Sequence, residues 1–551
     1  MTGSGDTPTG TGGAGAAGGR GPAAARRGRW PYRAALAGTV LAAATLYAAV
    51  AVQRYLTFRD SSFDLVIFDQ GVRGYSRFAA PVSALKNVHT GFAPGVPLLG
   101  DHVSPVLALL APLYWLHDGP LTLLLAQALL FAAAIVPLWT LVRRELGTVA
   151  AGAVVAGYAL SFPVAQALAF DFHEVAFAPL AGAVLFERLS AYRRGTAPWW
   201  HVALAALGLA AVKEDMGLML AGLGTGLLGT VLATRATPAR RGLAGLGGGL
   251  LVGGLAVTLV GTRVLIPAFG GSTIFDWRYL SIGATPGAAL AYLAGHPGTA
   301  LSIVVHPAVK VHTLVLLLAL TAGASLASPY LLAVLPPLAA RLLSDEPSWW
   351  GTDLHYNAFL VVPLLCAGVD GAARLGRAWA RYGPDRPPRP APGATPAAAG
   401  AAPAPGPARP VVLAWAAVVL AVAVAALPSF AFAGVVRPAA WRQDARTRAA
   451  AAAVAAVPPG ALVEAANTLG PRLSGRARVL LWDRLPRWAP WVAADTGSDQ
   501  FPFCGLAEQR DRVAFLAAHG YRTVYARDGF VVLHLLGTPP VAPVARAAGC
   551  G

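Results

Sequence analysis

Long stretches without a charged side chain recur along this chain, and they constrain its fold more than any other feature. The first runs from Ala34 to Val52, directly after a basic segment. A bilayer core about 30 Å thick is crossed by roughly 20 helical residues, so this stretch can span a membrane. With 56% hydrophobic and only 13% charged residues, a chain of 551 residues lacks the polar surface that a soluble globule needs. The sequence therefore predicts an α-helical polytopic membrane protein.

About eleven stretches are expected to cross the membrane. They are residues 34–52, 121–142, 149–169, 175–190, 199–213, 216–232, 242–266, 311–325, 329–343, 355–369 and 411–427. The apolar segment Ser104 to His117 is too short to cross and is followed by Asp118-Gly119-Pro120. We expect it to lie as a helix in the outer interface.

Basic residues concentrate in alternate loops between these stretches: Arg26-Arg27, Arg143-Arg144, Arg193-Arg194, Arg235 with Arg240-Arg241, and Arg374 to Arg381. Because positively charged loops stay in the cytoplasm, this alternation predicts a plasma-membrane protein with its N-terminus inside and its C-terminus outside. The same loops account for the net charge of +17, so we expect no nucleic-acid partner.

The opposite set of loops carries acids, histidines and amides at the ends of the apolar stretches. They are Asp64 with Asp69, Asp101-His102, Asp171 with His173-Glu174, Lys213-Glu214-Asp215, Asp345-Glu346, and His355-Tyr356-Asn357. Charge beside hydrocarbon is costly, so such a set gathered at one face indicates a functional site.

The chain divides by composition into five regions. Residues 1–30, rich in Gly, Ala, Thr and Pro, are expected to be a disordered cytoplasmic tail, and residues 383–410, rich in Pro and Ala, a cytoplasmic linker. Between them, residues 31–382 form the multi-span membrane domain. Residues 411–428 are the final span, and residues 429–551 follow it outside the cell.

The region after the last span, which we call the tail, has the pattern of a small extracytoplasmic α/β domain. Glu508 to His519 has helical periodicity, and Asp528-Gly529 lies between two strand-like runs, a strong hairpin signal. Cys504 and Cys550 both fall in the tail, where a disulfide is compatible with an outside location.

Asp64 and Asp69 are five residues apart, and on a helix their side chains diverge by about 140°. They serve one site only if the segment bends or if one acid supports the other, and either could instead cap a short interfacial helix. Asp101 stands just before Ser104-Pro105, a typical helix start, and is explained equally well as part of a cap.

Three other clusters have alternative explanations. Asp171, His173 and Glu174 are residue types that bind a divalent metal such as Mn or Zn, although their spacing matches no metal motif. Lys213 either neutralises Glu214 in an internal ion pair or faces a phosphate group. The His355 cluster can hydrogen-bond a sugar or pyrophosphate, or anchor a span at the interface.

Several of these segments, in this order, resemble the signature segments of a bacterial membrane family catalogued as domain of unknown function 2079. They are Phe63-Asp64 to Gln70, Gly100 to Pro105, Phe172 to Glu174, Val212 to Asp215, Leu342 to Asp345, and His355 to Asn357. The resemblance covers roughly residues 50 to 375, and Asn467 to Pro471 in the tail is similar too.

More weakly, the chain resembles the C-type glycosyltransferases, which carry an essential acid in the first outside loop. Asp69-Gln70 falls where those enzymes commonly carry Asp-Glu, and Asp101-His102 falls where many carry His-Pro. Gln70 departs from that pattern, which leaves Asp64 as the alternative second acid.

This resemblance implies an integral-membrane glycosyltransferase that moves a sugar from a polyprenyl-phosphate donor to an envelope glycan, lipid or protein acceptor on the outer face. Asp69, with Asp64, would be catalytic, and Asp69 would serve as general base. The substrate-binding residues would be Asp101, His102, Lys213, Glu214, Asp215, His355, Tyr356 and Asn357.

Two other functions fit the sequence less well. A lipid or glycan transporter or flippase would carry its charges at the midplane or on paired interrupted helices, whereas the clusters here lie at span ends. A non-catalytic scaffold of envelope assembly would tolerate loss of Asp64 and Asp69 together.

The predicted topology can be tested with reporter fusions. Because one arginine loop surrounds residue 195 while the tail follows an outward span, fusions after Gly195 and after Gly551 should report opposite compartments. If both fusions reported the same compartment, the one-sided arrangement of the acidic clusters would be lost.

Overall fold

The computed structural model describes residues 30–233, 238–272, 277–383 and 407–538. The predicted N-terminal tail, most of the Pro/Ala-rich linker, Arg235 and Cys550 lie outside the described residues.

Helices build the membrane domain from α1 to α19, and the tail adds four more. In chain order they are α1 Trp30–Leu56, α2 Ser62–Ser76, α3 Ala84–Thr90, α4 Ala111–Tyr114, α5 Pro120–Ala133, α6 Ile135–Leu146, α7 Thr148–Ala159, α8 Phe162–Ala169, α9 Ala178–Arg193, α10 Trp199–Ala210, α11 Met216–Leu232, α12 Pro238–Val260, α13 Ile266–Ala268, α14 Pro286–Gly295, α15 Pro297–Val305, α16 Ala308–Ala319, α17 Leu335–Leu343, α18 Ala358–Tyr382, α19 Arg409–Ala426, α20 Phe432–Val435, α21 Ala445–Ala456, α22 Gly470–Leu473 and α23 Leu506–Ala518.

Seven helical segments among the described residues are long and apolar enough to cross a membrane: Tyr32–Leu56, Pro120–Leu146, Thr148–Ala169, Glu174–Arg193, Arg240–Ala268, His355–Tyr382 and Arg409–Ser429. They coincide with seven of the expected stretches. The expected count of about eleven is not confirmed, because the other four stretches form shorter helices. At 329–343, for example, Pro336 and Pro337 lack the backbone N–H that a helix interior needs, so α17 starts only at Leu335.

A bent helix pair occupies a segment that the sequence assigns to an outside loop. Helices α14 and α15 meet at an angle of 105° across His296, and together they have the composition of a broken span or a re-entrant loop. Pro297 begins α15, which explains why the first helix cannot continue. With this pair counted as one span, the described residues contain up to eight spans.

The two ends of the helix bundle carry different charges. One end holds arginine ion pairs between neighbouring helices: Arg144–Glu187, Arg194–Glu145 at 2.7 Å, and Arg193–Asp370 at 3.9 Å. The acidic and histidine clusters gather at the other end. The sorting of charge expected from the sequence is therefore present in the fold, and which end faces the cytoplasm stays a prediction.

The tail contains a five-stranded sheet in the order β2-β1-β3-β5-β4. Its strands are β1 Leu462–Ala465, β2 Arg478–Leu481, β3 Trp491–Asp495, β4 Tyr521–Arg527 and β5 Phe530–Leu535. Strand β1 is parallel to β2 and β3, and β5 is antiparallel to β3 and β4. The β4–β5 hairpin turns at Asp528 and Gly529, both with positive φ, as the sequence predicts. Cys504 is disulfide-bonded.

The sheet is oriented so that the carboxyl ends of its parallel strands face the membrane domain. Asn467, just after β1, contacts the start of α2, and Asp483, just after β2, lies 3.1 Å from His89 on α3. In open α/β sheets this edge is where ligands bind. The tail thus presents that edge to the end of the bundle that holds the acidic clusters.

A buried glutamate in the tail should make stability depend on pH. Glu464 on β1 is fully buried; its Oε1 accepts hydrogen bonds from the backbone N of Arg487 and Ala489, whereas its Oε2 has no partner. Burial raises the pKa of Glu464 from 4.5 to about 7. A raised carboxyl pKa gives stability that is complete below pH 4.5 and is lost as pH rises through about 7.

Glu464→Gln, which imitates the neutral carboxyl, should therefore flatten the fall in thermal midpoint of the full chain between pH 5 and pH 8. The matched control is Glu508→Gln in the same domain. Although burial opposes the shift, the backbone N–H of Cys504 and the Arg484 side chain lower the pKa of Glu508, so this change should leave the slope as it is. If the thermal midpoint fell equally steeply with pH in wild type and in Glu464→Gln, the prediction would be contradicted.

Candidate functional site

Five of the predicted clusters meet at one end of the bundle, around the first turns of α2. We call the set of converging side chains the polar site. It comprises Asp64, Lys86, Asp101, His102, His173, Glu174, Lys213, Glu214, His355 and Tyr356. The site is therefore assembled from segments far apart in sequence.

Asp64 is the one carboxylate of this site that makes neither a hydrogen bond nor an ion pair with the described residues. It lies in the first turn of α2, where the helix dipole favours an acid, and it is partly exposed. The neighbouring groups that act most strongly on its ionisation are His173, Lys86 and Glu174. Burial raises the pKa of Asp64, and His173 and Lys86 oppose that rise.

Lys86 pairs with Asp101 beside Asp64. Its Nζ lies 2.7 Å from Asp101 Oδ2, and both side chains are mostly buried. Although burial opposes it, His102 and Lys86 lower the pKa of Asp101. No motif in the sequence marks Lys86, which stands on the short helix α3 in a loop between two apolar stretches, so the sequence alone did not indicate it.

His102 and Glu214 form the next pair. Glu214 Oε1 lies 2.9 Å from His102 Nδ1, and its Oε2 accepts a hydrogen bond from the backbone N of Val103 at 2.8 Å. Burial and Lys213 oppose protonation of His102, yet Asp101 and Glu214 raise its pKa to about 10. His102 is therefore a cation at neutral pH.

Lys213 forms an ion pair with Glu174. Lys213 Nζ lies 3.4 Å from Glu174 Oε1, and His173 Nδ1 lies 2.7 Å from Glu174 Oε2 without hydrogen-bond geometry. The His173 ring stacks on His355 with centroids 3.8 Å apart. The charge of Lys213 also acts on Glu214, so the pair with Glu214 and the contact with a phosphate group both stay predictions for this side chain.

Buried polar atoms without a hydrogen-bond partner collect in this site: Asp101 Oδ1, His173 Nδ1, Glu174 Oε1, Glu174 Oε2 and His355 Nδ1. The two Glu174 oxygens and His173 Nδ1 are nevertheless in ion pairs, which leaves Asp101 Oδ1 and His355 Nδ1 without a partner among the described residues. Most buried polar atoms in proteins are hydrogen-bonded, so these two exceptions are available to a ligand. Convergent polar atoms of this kind are typical of a ligand site.

Asp69, predicted as the general base, lies away from the polar site on the other side of α2. It is fully buried and accepts hydrogen bonds from Arg73 at 2.7 Å, from the Tyr114 hydroxyl at 2.8 Å, and from the Ser474 hydroxyl. A carboxylate saturated in this way has no surface to offer a substrate. The divergence of about 140° between the two aspartates explains why only Asp64 reaches the site.

The predicted metal set is not assembled. Asp171 accepts hydrogen bonds from the backbone N of Ser61 at 2.8 Å and from the Ser61 hydroxyl, which holds it away from the His173–Glu174 pair. Within the described ranges there is no group of three His, Cys, Asp or Glu side chains that could hold a metal ion. The assignment of Asp171, His173 and Glu174 to a metal is therefore corrected.

Two predicted substrate-binding residues also lie outside the site. Asp215 is exposed just before α11. Asn357 is fully buried, where it accepts a hydrogen bond from Arg341 at 3.0 Å and donates one to the Gly351 carbonyl at 3.1 Å. Asn357 thus shapes the loop before α18 and is not available to a ligand.

The tail clamps the helix that carries Asp64. The Asn467 side chain accepts hydrogen bonds from the backbone N of Ser62 at 2.9 Å and of Phe63 at 3.1 Å, which caps α2 from another domain. A Cβ on Gly470 would lie 2.0 Å from Ser62 Oγ, so only glycine permits this approach. Together with the hydrogen bond from Ser474 to Asp69, these contacts attach the Asn467 segment of the tail to α2.

An apolar groove adjoins the polar site. It has a volume of about 400 Å³ and is lined by Val103, Ala210, Ala211, Glu214, Ala256, Val257, Val260, Gly261 and Leu265. Glu214 is its single charged residue. At Gly261 a turn of π-helix begins, and a Cβ there would lie 2.7 Å from the Glu214 Cβ.

The profile of a family described as "Predicted membrane protein (DUF2079)" matches residues 54–532, so the chain belongs to this family. No curated protein matches the sequence. Among solved structures, the chain is similar to ArnT from Cupriavidus metallidurans bound to undecaprenyl phosphate, with 15% identity over 90% of this chain and 97% of that chain and a TM-score of 0.41. The same protein in the apo state is 13% identical over 89% and 97%, with a TM-score of 0.41. Likeness of this degree assigns neither a reaction nor a residue role.

The clamp can be tested at Asn467. Asn467→Ala removes the acceptor that caps α2 and should cost about 0.5–2 kcal/mol of stability, whereas Asn467→Asp keeps the acceptor and should cost less. The measurement is the thermal midpoint of the full chain, with protease sensitivity of the loop before Ser62 as a local readout. Equal losses for both variants would show that the cap does not hold α2.

Proposed function

We propose that this DUF2079 member is an integral-membrane glycosyltransferase that moves a sugar from a polyprenyl-phosphate donor to a cell-envelope acceptor on the outer face. The observation that carries the proposal is Asp64, a partly exposed carboxylate that makes no hydrogen bond with the described residues and lies in a site where Asp101 Oδ1 and His355 Nδ1 also lack partners among them. Cations of Lys86 and His102 stand in the same site.

Asp64 acts as the general base in a direct displacement. The acceptor hydroxyl oxygen forms a bond to the anomeric carbon while the bond from that carbon to the phosphate oxygen breaks. The hydroxyl proton goes to Asp64, and the bonding electrons leave with the lipid phosphate. A base with a raised pKa accepts this proton more readily than an ordinary aspartate does.

Lys213 and His102 offset the charge that builds up on the departing phosphate. Lys213 is held in the site by Glu174 at 3.4 Å, and the pKa of about 10 keeps His102 charged. Fixed cations aimed at developing negative charge are the largest electrostatic aid that such a reaction can receive. Their carboxylate partners hold them in place before the donor binds.

The apolar groove suits the polyprenyl chain of the donor. Its lining is apolar apart from Glu214, and Glu214 in turn holds His102. A lipid lying in this groove would bring its phosphate beside the cations of the site. This arrangement supports a lipid-linked donor more than a soluble one.

The decisive substitution is Asp64→Asn, because an amide cannot take the acceptor proton. Turnover should fall by roughly a hundredfold or more while donor binding persists. Since the base must be ionised, wild-type turnover should rise with pH through the raised pKa of Asp64, and the variant should lose this dependence. Purified protein is mixed with extracted polyprenyl-phosphate sugars and envelope acceptors, and the acceptors are examined by mass spectrometry.

Three further variants define the controls. Asp353→Asn changes an exposed aspartate near the site and should leave turnover as it is. Asp69→Asn should lower the thermal midpoint of the protein, because it breaks the buried ion pair between Asp69 and Arg73. Lys213→Ala should weaken donor binding as well as turnover, since the phosphate is charged in the ground state too.

Equal product from wild type and Asp64→Asn would rule out Asp64 as the base. Movement of the lipid without sugar transfer would point to a flippase, and no consumption of any donor by the wild type would favour the scaffold.

A further inference from the structure

We propose that the aromatic cluster of Phe63, His89 and Phe501 binds a pyranose ring of the acceptor, so that the acceptor is a carbohydrate. The proposal rests on the function proposed above and names its acceptor. The three rings come from α2, α3 and the tail, at the junction that the Asn467 clamp holds together.

The rings contact one another by their edges. Phe63 and Phe501 lie 5.2 Å apart at 66°, and His89 meets Phe63 at 76° and Phe501 at 61°. An edge-to-face contact covers one face of a ring and leaves its opposite face open to another contact. Phe501 accordingly remains 49% exposed although it lies at a docked interface.

The cluster adjoins the polar site. Phe63 directly precedes Asp64, and on α3 the residues Lys86 and His89 are three apart, which places them on the same helix face. Lys86 is among the groups that act most strongly on the ionisation of Asp64. A ring bound on Phe501 would therefore extend toward the proposed base.

One exposed carboxylate stands beside the rings, and a buried one holds them. Asp499 is exposed two residues before Phe501. Asp483 is buried; its Oδ2 lies 3.1 Å from His89 Nδ1 and 3.3 Å from Arg487, and its Oδ1 accepts a hydrogen bond from the backbone N of Leu485, so it fixes the His89 ring. These groups stand at or beside the carboxyl edge of the tail sheet, where open α/β sheets bind ligands.

This combination matches a pyranose better than other acceptors. A pyranose has an apolar C–H face, which packs on an aromatic ring, and a rim of hydroxyls, which donate to carboxylates. The exposed Asp499 beside the ring disfavours a phosphate or another anion. An acyl chain would need a continuous apolar surface in place of this single exposed ring.

Binding can be measured without a donor, so the test does not depend on turnover. Saturation-transfer NMR would use the full chain in a sugar-free detergent, with methyl α-D-glucopyranoside, methyl α-D-mannopyranoside and methyl α-D-galactopyranoside as probes. At least one probe should receive saturation at its ring C–H protons. Phe501→Ala should weaken binding about fivefold or more, and Phe501→Tyr should retain it. Phe78→Ala, a change at another exposed aromatic ring, is the matched control and should have no effect.

The outcomes separate this proposal from the previous one. If no probe binds to wild type, or if Phe501→Ala binds as wild type does, the carbohydrate subsite is wrong even when sugar transfer is observed. If the probe binds through Phe501 but Asp64→Asn transfers sugar as wild type does, the carbohydrate subsite stands and the role of Asp64 fails.

Discussion

The buried carboxylate of Asp69 is the interaction on which the rest of this structure depends. It joins three elements: α2 through Arg73, α4 through Tyr114, and the tail through Ser474. A charge without exposed surface is costly, and the cost is offset here by an ion pair and two hydroxyl hydrogen bonds. Because α2 cannot rotate without breaking the hydrogen bonds to Tyr114 and Ser474, Asp69 fixes the direction in which Asp64 points.

Two aspartates five residues apart therefore have different roles, set by their surroundings. Asp69 is saturated and supports the fold, whereas Asp64 has no hydrogen-bond partner in the described part of the chain and lies in the same site as Lys86, His102 and Lys213. In the polar site the negative charges of the carboxylates are nearly offset by the positive charges of neighbouring side chains. The site can therefore stay ionised before a ligand binds. An apolar groove opens on one side of this site and an aromatic cluster on another, as a reaction between a lipid-linked donor and a second substrate requires.

Sequence reasoning predicted what depends on local pattern: seven spans, the separation of arginines from acids, and the hairpin at Asp528-Gly529. It failed where the answer depends on distant contacts. The choice between Asp64 and Asp69 is decided by Ser474, 405 residues away from Asp69. Lys86 lies in no motif, and Asp171 is removed from the supposed metal set by Ser61. Four of the expected spans are short helices. Apolar composition alone does not distinguish a helix that crosses the membrane from one that is buried against other helices. Helix α11, much of which is buried, is an example.

The central claim is that a lipid phosphate binds at the polar site beside Asp64. The most direct measurement is a cryo-electron microscopy structure of the full chain in nanodiscs containing a polyprenyl phosphate. We predict phosphate density between Lys213 and Lys86 on the Asp64 side of α2, with the isoprenoid chain in the groove lined by Val257 and Gly261. Phosphate density among the arginines at the opposite end of the bundle, with the polar site unchanged, would contradict the account.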